Sequence, residues 1–390
     1  MKLRPMESIV YFILRVMARK DARDRTLKSL QKGSQKNILI VSSTAIGDTL
    51  MSTPAIGALR KCFPEARLIA LFNKANMELF RDNPNIDGVV PYYGGWKKFI
   101  STILELKKYS FDTALILHGN EPQATPMAYL SGARFIVKLP NASKFNFLLS
   151  NSSPLLTWAE LGHGIRARLQ AAALLGCEAD GLEMDLPLNK DAHEEAEIFL
   201  RQEGIKPEHT LIGLNPGAST LSRQWFPARF AELARRLTTA RPDVRIILTG
   251  SPEEKGLCRE IDRLMKEQGS GGGGEKAAIA AGRLSLNATA ALIKKLHVFV
   301  TGDTGPMHMA YAQKTPVVAL YAVSEPERTG PLTHKNLHRI IKKPRTCEPC
   351  ISKKCVYQEC MEQITVDEVF SALTDILEKH GAKKKHRQRK

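Results

Sequence analysis

The sequence predicts an α/β fold built from two doubly wound, parallel-sheet domains that face a central cleft. Its 390 residues are enough for two domains of ordinary size. Along both halves, apolar runs of strand length alternate with segments that have helical spacing. The runs are apolar along their whole length, which is typical of parallel strands covered by helices on both faces.

The first domain is predicted over residues 37–187. A strand at 37–43 leads directly into a helix at 47–62, and three more strand and helix pairs follow. The further strands are at 67–72, 89–92 and 112–118, with helices at 76–81, 97–108 and 122–131. After residue 141 an Asn- and Ser-rich stretch and a helical segment at 159–175 indicate the crossover between the domains.

The second domain is predicted over residues 188–380 and repeats the alternation. Its strands are predicted at 211–215, 244–250, 298–302 and 316–321, and its helices at 227–238 and 253–267. Open parallel sheets bind ligands at the carboxyl ends of their strands. We therefore expect functional residues on the loops that leave these strands.

Most of the positive charge lies at the two ends of the chain. The formal net charge is +17; the leader at 1–36 holds ten Lys and Arg against three acids, and the basic tail at 381–390 holds six against none. The body carries no basic stripe interleaved with aromatic residues, so the sequence does not predict a nucleic-acid partner.

The leader contains one apolar helical face, formed by Ile9, Phe12, Ile13, Val16 and Met17. Its apolar run is far shorter than the roughly 20 residues of a membrane-spanning helix. Two interpretations stay open: the helix packs on the protein's own body, or it lies on an anionic membrane that attracts the neighbouring basic residues.

Four of the seven cysteines crowd together with the spacing C-x2-C-x4-C-x4-C. An odd number of cysteines without an export signal favours a reducing compartment. The cluster is compatible with a zinc site but lacks a second C-x2-C pair, and buried thiols or disulfides formed after lysis are the alternatives. The four residues are Cys347, Cys350, Cys355 and Cys360.

The first motif with chemical potential is S-S-T-A-I-G-D-T at 42–49, directly after the first strand. It matches neither the dinucleotide-binding nor the P-loop pattern. Thr44 and Gly47 belong to this loop, and Asp48 opens the following helix. Asp48 is either an ordinary acidic residue of a first helical turn or a general base for an acceptor hydroxyl.

The second motif, N-P-G-A-S-T at 215–220, is followed by Arg223 just before a predicted helix. The hydroxyls of Ser219 and Thr220 and the Arg223 guanidinium predict an anion site. The alternative is a surface arginine paired with a nearby acid.

The third motif, T-G-D-T-G-P-M-H at 301–308, again joins a strand to a helix. Backbone N–H groups of Thr304, Gly305 and His308 can point at a diphosphate, and the His308 side chain can add a hydrogen bond. Asp303 begins this loop.

A carboxylate after the strand at 244–250 can bind ribose hydroxyls, and the pattern offers Glu253 or its neighbour Glu254. No D-x-D, H-E-x-x-H or G-x-S-x-G motif is present. The sequence therefore predicts neither a metal-chelated nucleotide nor any cofactor.

The chain contains, in this order, the motifs I-L-I-V-S-S-T-A-I-G-D-T-L, N-P-G-A-S, R-Q-W-F-P, L-T-G-S-P-E-E and D-T-G-P-M-H-M-A. Taken together, these motifs make it resemble bacterial ADP-heptose:lipopolysaccharide heptosyltransferases, glycosyltransferase family 9. The resemblance covers residues 37–377. It implies a GT-B fold of two Rossmann-like domains, the first for the acceptor and the second for the nucleotide sugar. It also implies an inverting, metal-independent transfer of heptose from ADP-heptose to the inner core of lipopolysaccharide, either lipid A-Kdo or a heptosylated acceptor.

Carried over by position, the resemblance makes Asp48 the general base and Arg223 a ligand of the donor diphosphate. It matches Asp303, Thr304, Gly305 and His308 to the second donor loop. A lipid-linked acceptor implies a cytoplasmic protein that is peripheral on the inner face of the cytoplasmic membrane. Three alternatives stay open: another nucleotide-sugar donor, a non-catalytic nucleotide-sugar-binding protein, or an epimerase that needs no acceptor.

Overall fold

The structure, a computed structural model, describes residues 5–31, 33–119, 122–267, 277–350 and 355–387. The chain divides into two compact units, Met1–Pro187 and Leu188–Lys390. Among the described residues, no helix has both the length and the apolar character needed to cross a membrane.

The first unit contains a five-stranded parallel sheet with the strand order β3-β2-β1-β4-β5. The strands are β1 (Asn37–Ser42), β2 (Arg67–Asn73), β3 (Gly88–Tyr92), β4 (Thr113–His118) and β5 (Phe135–Lys138). The helices are α1 (Pro5–Lys20), α2 (Ile46–Leu50), α3 (Thr53–Cys62), α4 (Phe99–Lys107), α5 (Ala124–Leu130), α6 (Trp158–Leu161) and α7 (Gly164–Ala173). The short strand β5 was not predicted.

The predicted helix at 47–62 is in fact two helices, α2 and α3. The break comes at Met51 and Ser52, because Pro54 has no backbone N–H and is tolerated only in the first turn of a helix. The predicted helix at 76–81 is also wrong, since this segment forms a single 3₁₀ turn, Met77–Phe80.

One face of the first sheet is covered by α1, α4 and α5. Leu14 of α1, Ile103 of α4 and Met127 of α5 join one buried apolar cluster with side chains of all five strands. The leader helix therefore packs on the body of its own unit through one of its sides.

The second unit contains a six-stranded parallel sheet with the order β11-β10-β9-β6-β7-β8. The strands are β6 (Thr210–Asn215), β7 (Val244–Leu248), β8 (Ala278–Ile279), β9 (Val298–Gly302), β10 (Val317–Tyr321) and β11 (Arg339–Lys342). The helices are α8 (Lys190–Gln202), α9 (Pro227–Ala240), α10 (Lys255–Glu267), α11 (Leu286–Lys295), α12 (Gly305–Ala312), α13 (Pro326–Thr329), α14 (Glu359–Glu362) and α15 (Val366–Arg387). The last helix continues into the basic tail.

Two features of the second unit position its loops. Strands β6 and β9 are neighbours, with Asn215 opposite Thr301, so the loops that follow them leave the sheet side by side. Trp225 is buried, and its Nε1–H donates to the carbonyl oxygen of Ile364 at 2.9 Å. The tryptophan of the R-Q-W-F-P motif therefore anchors the loop to the core.

Candidate active site

In the first unit, a polar cluster forms where β1 and β4 end. Ser42 of β1 lies opposite His118, the last residue of β4. The chain leaves β1 through Thr44 and enters α2, which carries Asp48 in its first turn. The parallel sheet thus brings the predicted loop at 42–49 next to a histidine from another strand.

The Asp48 carboxylate is held from two sides. Its Oδ1 accepts a hydrogen bond from Nη2 of Arg168 at 3.1 Å, and its Oδ2 accepts one from the Thr44 hydroxyl at 3.0 Å. The side chain of Asp48 is nevertheless 26% exposed, so solvent or a ligand can reach it.

His118 is coupled to this carboxylate through Thr44. Its Nδ1 lies 2.7 Å from the Thr44 hydroxyl oxygen, and its Nε2 lies 3.6 Å from Oδ1 of Asp48. A hydroxyl has one hydrogen, so when Thr44 donates to Asp48 the Nδ1–H of His118 is the donor to Thr44. The ring of Trp158 lies 5.5 Å from the His118 ring and borders the cluster.

Arg168 is the buried cation of the cluster, with its side chain only 1% exposed. Besides contacting Asp48, it donates from Nε to the Ser52 hydroxyl at 3.0 Å and from Nη1 to the Gly164 carbonyl at 2.8 Å. Burial lowers the pKa of Arg168 from its ordinary value, and the Asp48 carboxylate acts in the opposite direction. Arg168 therefore fixes the carboxylate by charge as well as by hydrogen bonding.

Sequence reasoning placed Thr44, Gly47 and Asp48 in this loop but missed His118 and Arg168. Gly47 is buried in α2 and contributes a carbonyl to the Met51 N–H. His118 is the last residue of a predicted strand, and functional residues were expected where strands end. Its position could therefore have identified it as a candidate site residue. Arg168 lies 120 residues after Asp48 in a helix with no distinctive pattern.

In the second unit, the structure brings Arg223, Asp303 and His308 together. Nη1 of Arg223 lies 3.8 Å from Oδ2 of Asp303, and Nε2 of His308 lies 3.9 Å from Oδ1. Asp303 and His308 are buried, whereas Arg223 is 29% exposed. Because 3.8 Å exceeds hydrogen-bond distance, this contact takes up none of the guanidinium donors.

Four further predicted residues lie in the segments that follow β6 and β9, and they differ in how exposed they are. The Thr304 hydroxyl lies 3.1 Å from that of Thr301, and Gly305 is the first residue of α12. Thr220 is half-buried, with its hydroxyl 3.2 Å from that of Ser222, whereas Ser219 is exposed.

Glu254 has the more constrained position of the two candidate ribose ligands. Its Oε2 accepts from the Ser251 N–H at 2.8 Å, and a Cβ on Gly217 would lie 1.9 Å from Oε1. Glu253 is exposed. Of the two glutamates, Glu254 is therefore the one whose side chain packs against the loop after β6. A role for Glu253 in ribose binding stays a prediction.

At the donor site that the resemblance implies, replacing Gly217 by alanine should weaken nucleotide binding about tenfold. The new methyl group would occupy the position of the Glu254 carboxylate, which must then turn away from the loop after β6. The dissociation constant of ADP, measured by calorimetry, tests this expectation. Gly256→Ala is the control because a Cβ there meets no atom within 4 Å; equal ADP affinity in the two variants would contradict it.

Of the four clustered cysteines, Cys347 is exposed, Cys350 is half-buried, and Cys355 and Cys360 are buried. In the described part of the chain, no group of three or more His, Cys, Asp or Glu side chains is arranged to hold a metal ion. Residues 351–354, inside the cluster, lie outside the described residues. Zinc binding stays one of the three interpretations of this cluster.

Two solved structures share this fold. Escherichia coli ADP-heptose lps heptosyltransferase II has a TM-score of 0.72 and 22% identity, over 88% of this chain and 99% of that chain. E. coli heptosyltransferase WaaC, solved with ADP, has a TM-score of 0.64 and 16% identity, over 87% and 99%. The predicted α/β fold of the GT-B glycosyltransferases is thus confirmed.

The sequence comparisons identify the family. Lipooligosaccharide heptosyltransferase 2 of Campylobacter jejuni is 24% identical over 87% of this chain and 98% of its own length. The model of glycosyltransferase family 9 (heptosyltransferase) matches residues 105–361, which is more than half of the chain. The chain belongs to glycosyltransferase family 9 and is a glycosyltransferase, as the motifs predicted.

Proposed function

We propose that this enzyme transfers a heptose from ADP-heptose to the inner core of lipopolysaccharide, using Asp48 as the general base. The observation that carries the proposal is the partly exposed Asp48 carboxylate, fixed by buried Arg168 at the carboxyl end of β1 in a family 9 chain. A general base must be both accessible and oriented, and Asp48 meets both requirements.

In the proposed reaction, Asp48 takes the proton of the acceptor hydroxyl while the hydroxyl oxygen attacks the anomeric carbon of the donor. The bond from that carbon to the diphosphate oxygen breaks, and its electron pair leaves with ADP. Attack opposite the leaving group inverts the anomeric centre. No metal is needed in this scheme, because a guanidinium and backbone N–H groups can stabilise the leaving diphosphate.

We assign the donor to residues 188–380 and the acceptor to residues 37–187. Arg223 and the loop after β9 would bind the diphosphate, with the ribose near Glu253 or Glu254. The donor residues proposed are Ser219, Thr220, Arg223, Glu253, Asp303, Thr304, Gly305 and His308. A heptosyltransferase that shares this fold was solved with ADP, which supports an ADP-linked donor. The name of a relative, lipooligosaccharide heptosyltransferase 2, supports a lipid-linked saccharide acceptor.

The decisive experiment measures ADP release from ADP-heptose, with and without heptose-deficient lipopolysaccharide. Acceptor-dependent release supports the transfer, and release without acceptor indicates a different reaction. Tight ADP binding with no release under either condition would mean that the donor is another nucleotide sugar or that the protein only binds. We place the reaction in the cytoplasm, at the inner face of the membrane that carries the lipid-linked acceptor.

Replacing Arg223 by alanine should weaken ADP binding by about tenfold to a hundredfold, because charge-assisted hydrogen bonds to a diphosphate are lost. The change in turnover at saturating donor should be smaller. Isothermal calorimetry with ADP checks the affinity. Arg263→Ala is the matched control, since Arg263 is exposed and pairs with Glu267 within α10; equal ADP affinity in the two variants would remove Arg223 from the donor site.

A further inference from the structure

The leader helix α1 has a second apolar side that faces away from the body. Leu14 is buried in the cluster under the first sheet, and Tyr11 packs edge-on against Phe145 and Phe147. The outward residues are largely exposed: Met6 53%, Ile9 56%, Phe12 69%, Ile13 50%, Val16 38% and Met17 41%. Packing on the protein's own unit therefore uses one side of α1 and leaves an apolar stripe along the other.

Helix α4 repeats this arrangement on the same side of the sheet. Its inner residues Phe99 and Ile103 belong to the same buried cluster as Leu14. Its outer residues Ile100 and Leu104 are 67% and 59% exposed. Both helices pack on the same face of the sheet, and both expose aliphatic side chains on the side that faces away from it. Exposed apolar surface of this kind does not stabilise an isolated unit in water.

Basic residues border both stripes. On α1, Arg19 and Lys20 are exposed at the last turn, and Lys20 lies seven residues after Ile13, which places it in line with the stripe. Beside α4, exposed Lys97 and Lys107 lie three residues before Ile100 and three after Leu104. Long lysine and arginine side chains can hold their charges at a polar boundary while their stems cover apolar surface.

We propose that the outward faces of α1 and α4 form a docking surface for an anionic lipid bilayer. A helix with an apolar stripe bordered by cations lies in a membrane interface, with the stripe among the acyl chains and the cations at the headgroups. A second copy of this chain fits less well, because both copies would carry the same positive charge into the interface, whereas an anionic bilayer carries the opposite charge. The inference does not depend on the reaction, although a lipid-linked acceptor would be met at this surface.

The test is flotation of the full chain with phosphatidylcholine vesicles, with and without phosphatidylglycerol. The protein should float with the anionic vesicles and bind the neutral ones at least about tenfold more weakly, and added salt should release it. Ile9→Glu and Ile100→Glu should each lower the partition coefficient about tenfold, because each places a charge where an aliphatic side chain is buried in lipid. Ile198→Glu on α8, at a position 37% exposed, is the matched control and should bind like the unaltered protein.

Absence of binding to anionic vesicles would overturn the proposal, as would equal binding of Ile9→Glu and the control. If Ile9→Glu weakens binding but Ile100→Glu does not, α4 is not part of the docking surface. A dimer in gel filtration that Ile9→Glu dissociates, without vesicle binding, would identify a second copy as the occupant instead. All three variants change exposed side chains, and circular dichroism verifies that they are folded. None of these readouts requires catalytic activity, so failure of the proposed reaction and failure of membrane docking are separable.

Discussion

Replacing Asp48 by asparagine should lower turnover by about 10² to 10⁴-fold, the usual contribution of a positioned general base. Affinity for ADP should be nearly unchanged, because the proposed role of Asp48 is limited to the acceptor hydroxyl. Steady-state rates of acceptor-dependent ADP release and an ADP titration measure the two quantities. Asp180→Asn, in the same unit at an exposed ion pair with Lys61, is the control and should keep full activity.

The choice of asparagine follows from the burial of Arg168. Alanine at position 48 would leave the Arg168 guanidinium buried without its carboxylate, at a cost of about 3 to 5 kcal/mol in the free energy of unfolding. Asparagine keeps an oxygen that can accept from Nη2. A low rate in Asp48→Ala alone would therefore mix instability with lost catalysis, whereas full turnover in Asp48→Asn would falsify the base assignment.

Replacing Arg168 by methionine should reduce both stability and turnover. Three hydrogen bonds from the guanidinium disappear, to Asp48, to Ser52 and to the Gly164 carbonyl. We expect the free energy of unfolding in urea to fall by about 2 to 4 kcal/mol. Turnover should fall by about tenfold to a hundredfold, because the carboxylate is no longer held in one place.

A double-mutant comparison separates a positioning role of Arg168 from a purely structural one. If Arg168 acts through Asp48, Arg168→Met should lower turnover in the unaltered enzyme but not further in the Asp48→Asn background. Arg168→Lys should recover only part of the rate, because an ammonium cannot bond three partners in the geometry of a guanidinium. An equal loss of turnover in both backgrounds would show that Arg168 acts independently of Asp48.

Regular strands were predictable because their apolar runs are bounded and continuous, as in 37–43 and 298–302. The helix at 47–62 was predicted as one element because its apolar spacing continues across Pro54. The break between α2 and α3 lies in the backbone hydrogen bonds, which the spacing of apolar residues does not reveal. Strands β5, β8 and β11 were missed. β5 has four residues and β8 has two, and the residues of β11 are only partly covered, so none of them gives a long apolar run.

The predicted site residues lie on loops after strands, where parallel-sheet geometry brings short motifs together. Arg223, Asp303 and His308 meet for that reason. Arg168 escaped prediction because its role depends on a contact across 120 residues, which no local pattern encodes. Glu253 and Glu254 are neighbours in sequence, and only side-chain packing against Gly217 distinguishes them.

The separation of Asp48 and Arg168 along the chain also sets an order of events during synthesis. At about 5 to 20 residues per second, the ribosome adds the residues between them in roughly 6 to 24 seconds. Strands β1, β2 and β4 have all emerged by then, but the carboxylate has no guanidinium partner until α7 follows them. A nascent chain stalled before α7 would contain every strand of the first sheet and still lack the Arg168 guanidinium that holds one side of the Asp48 carboxylate.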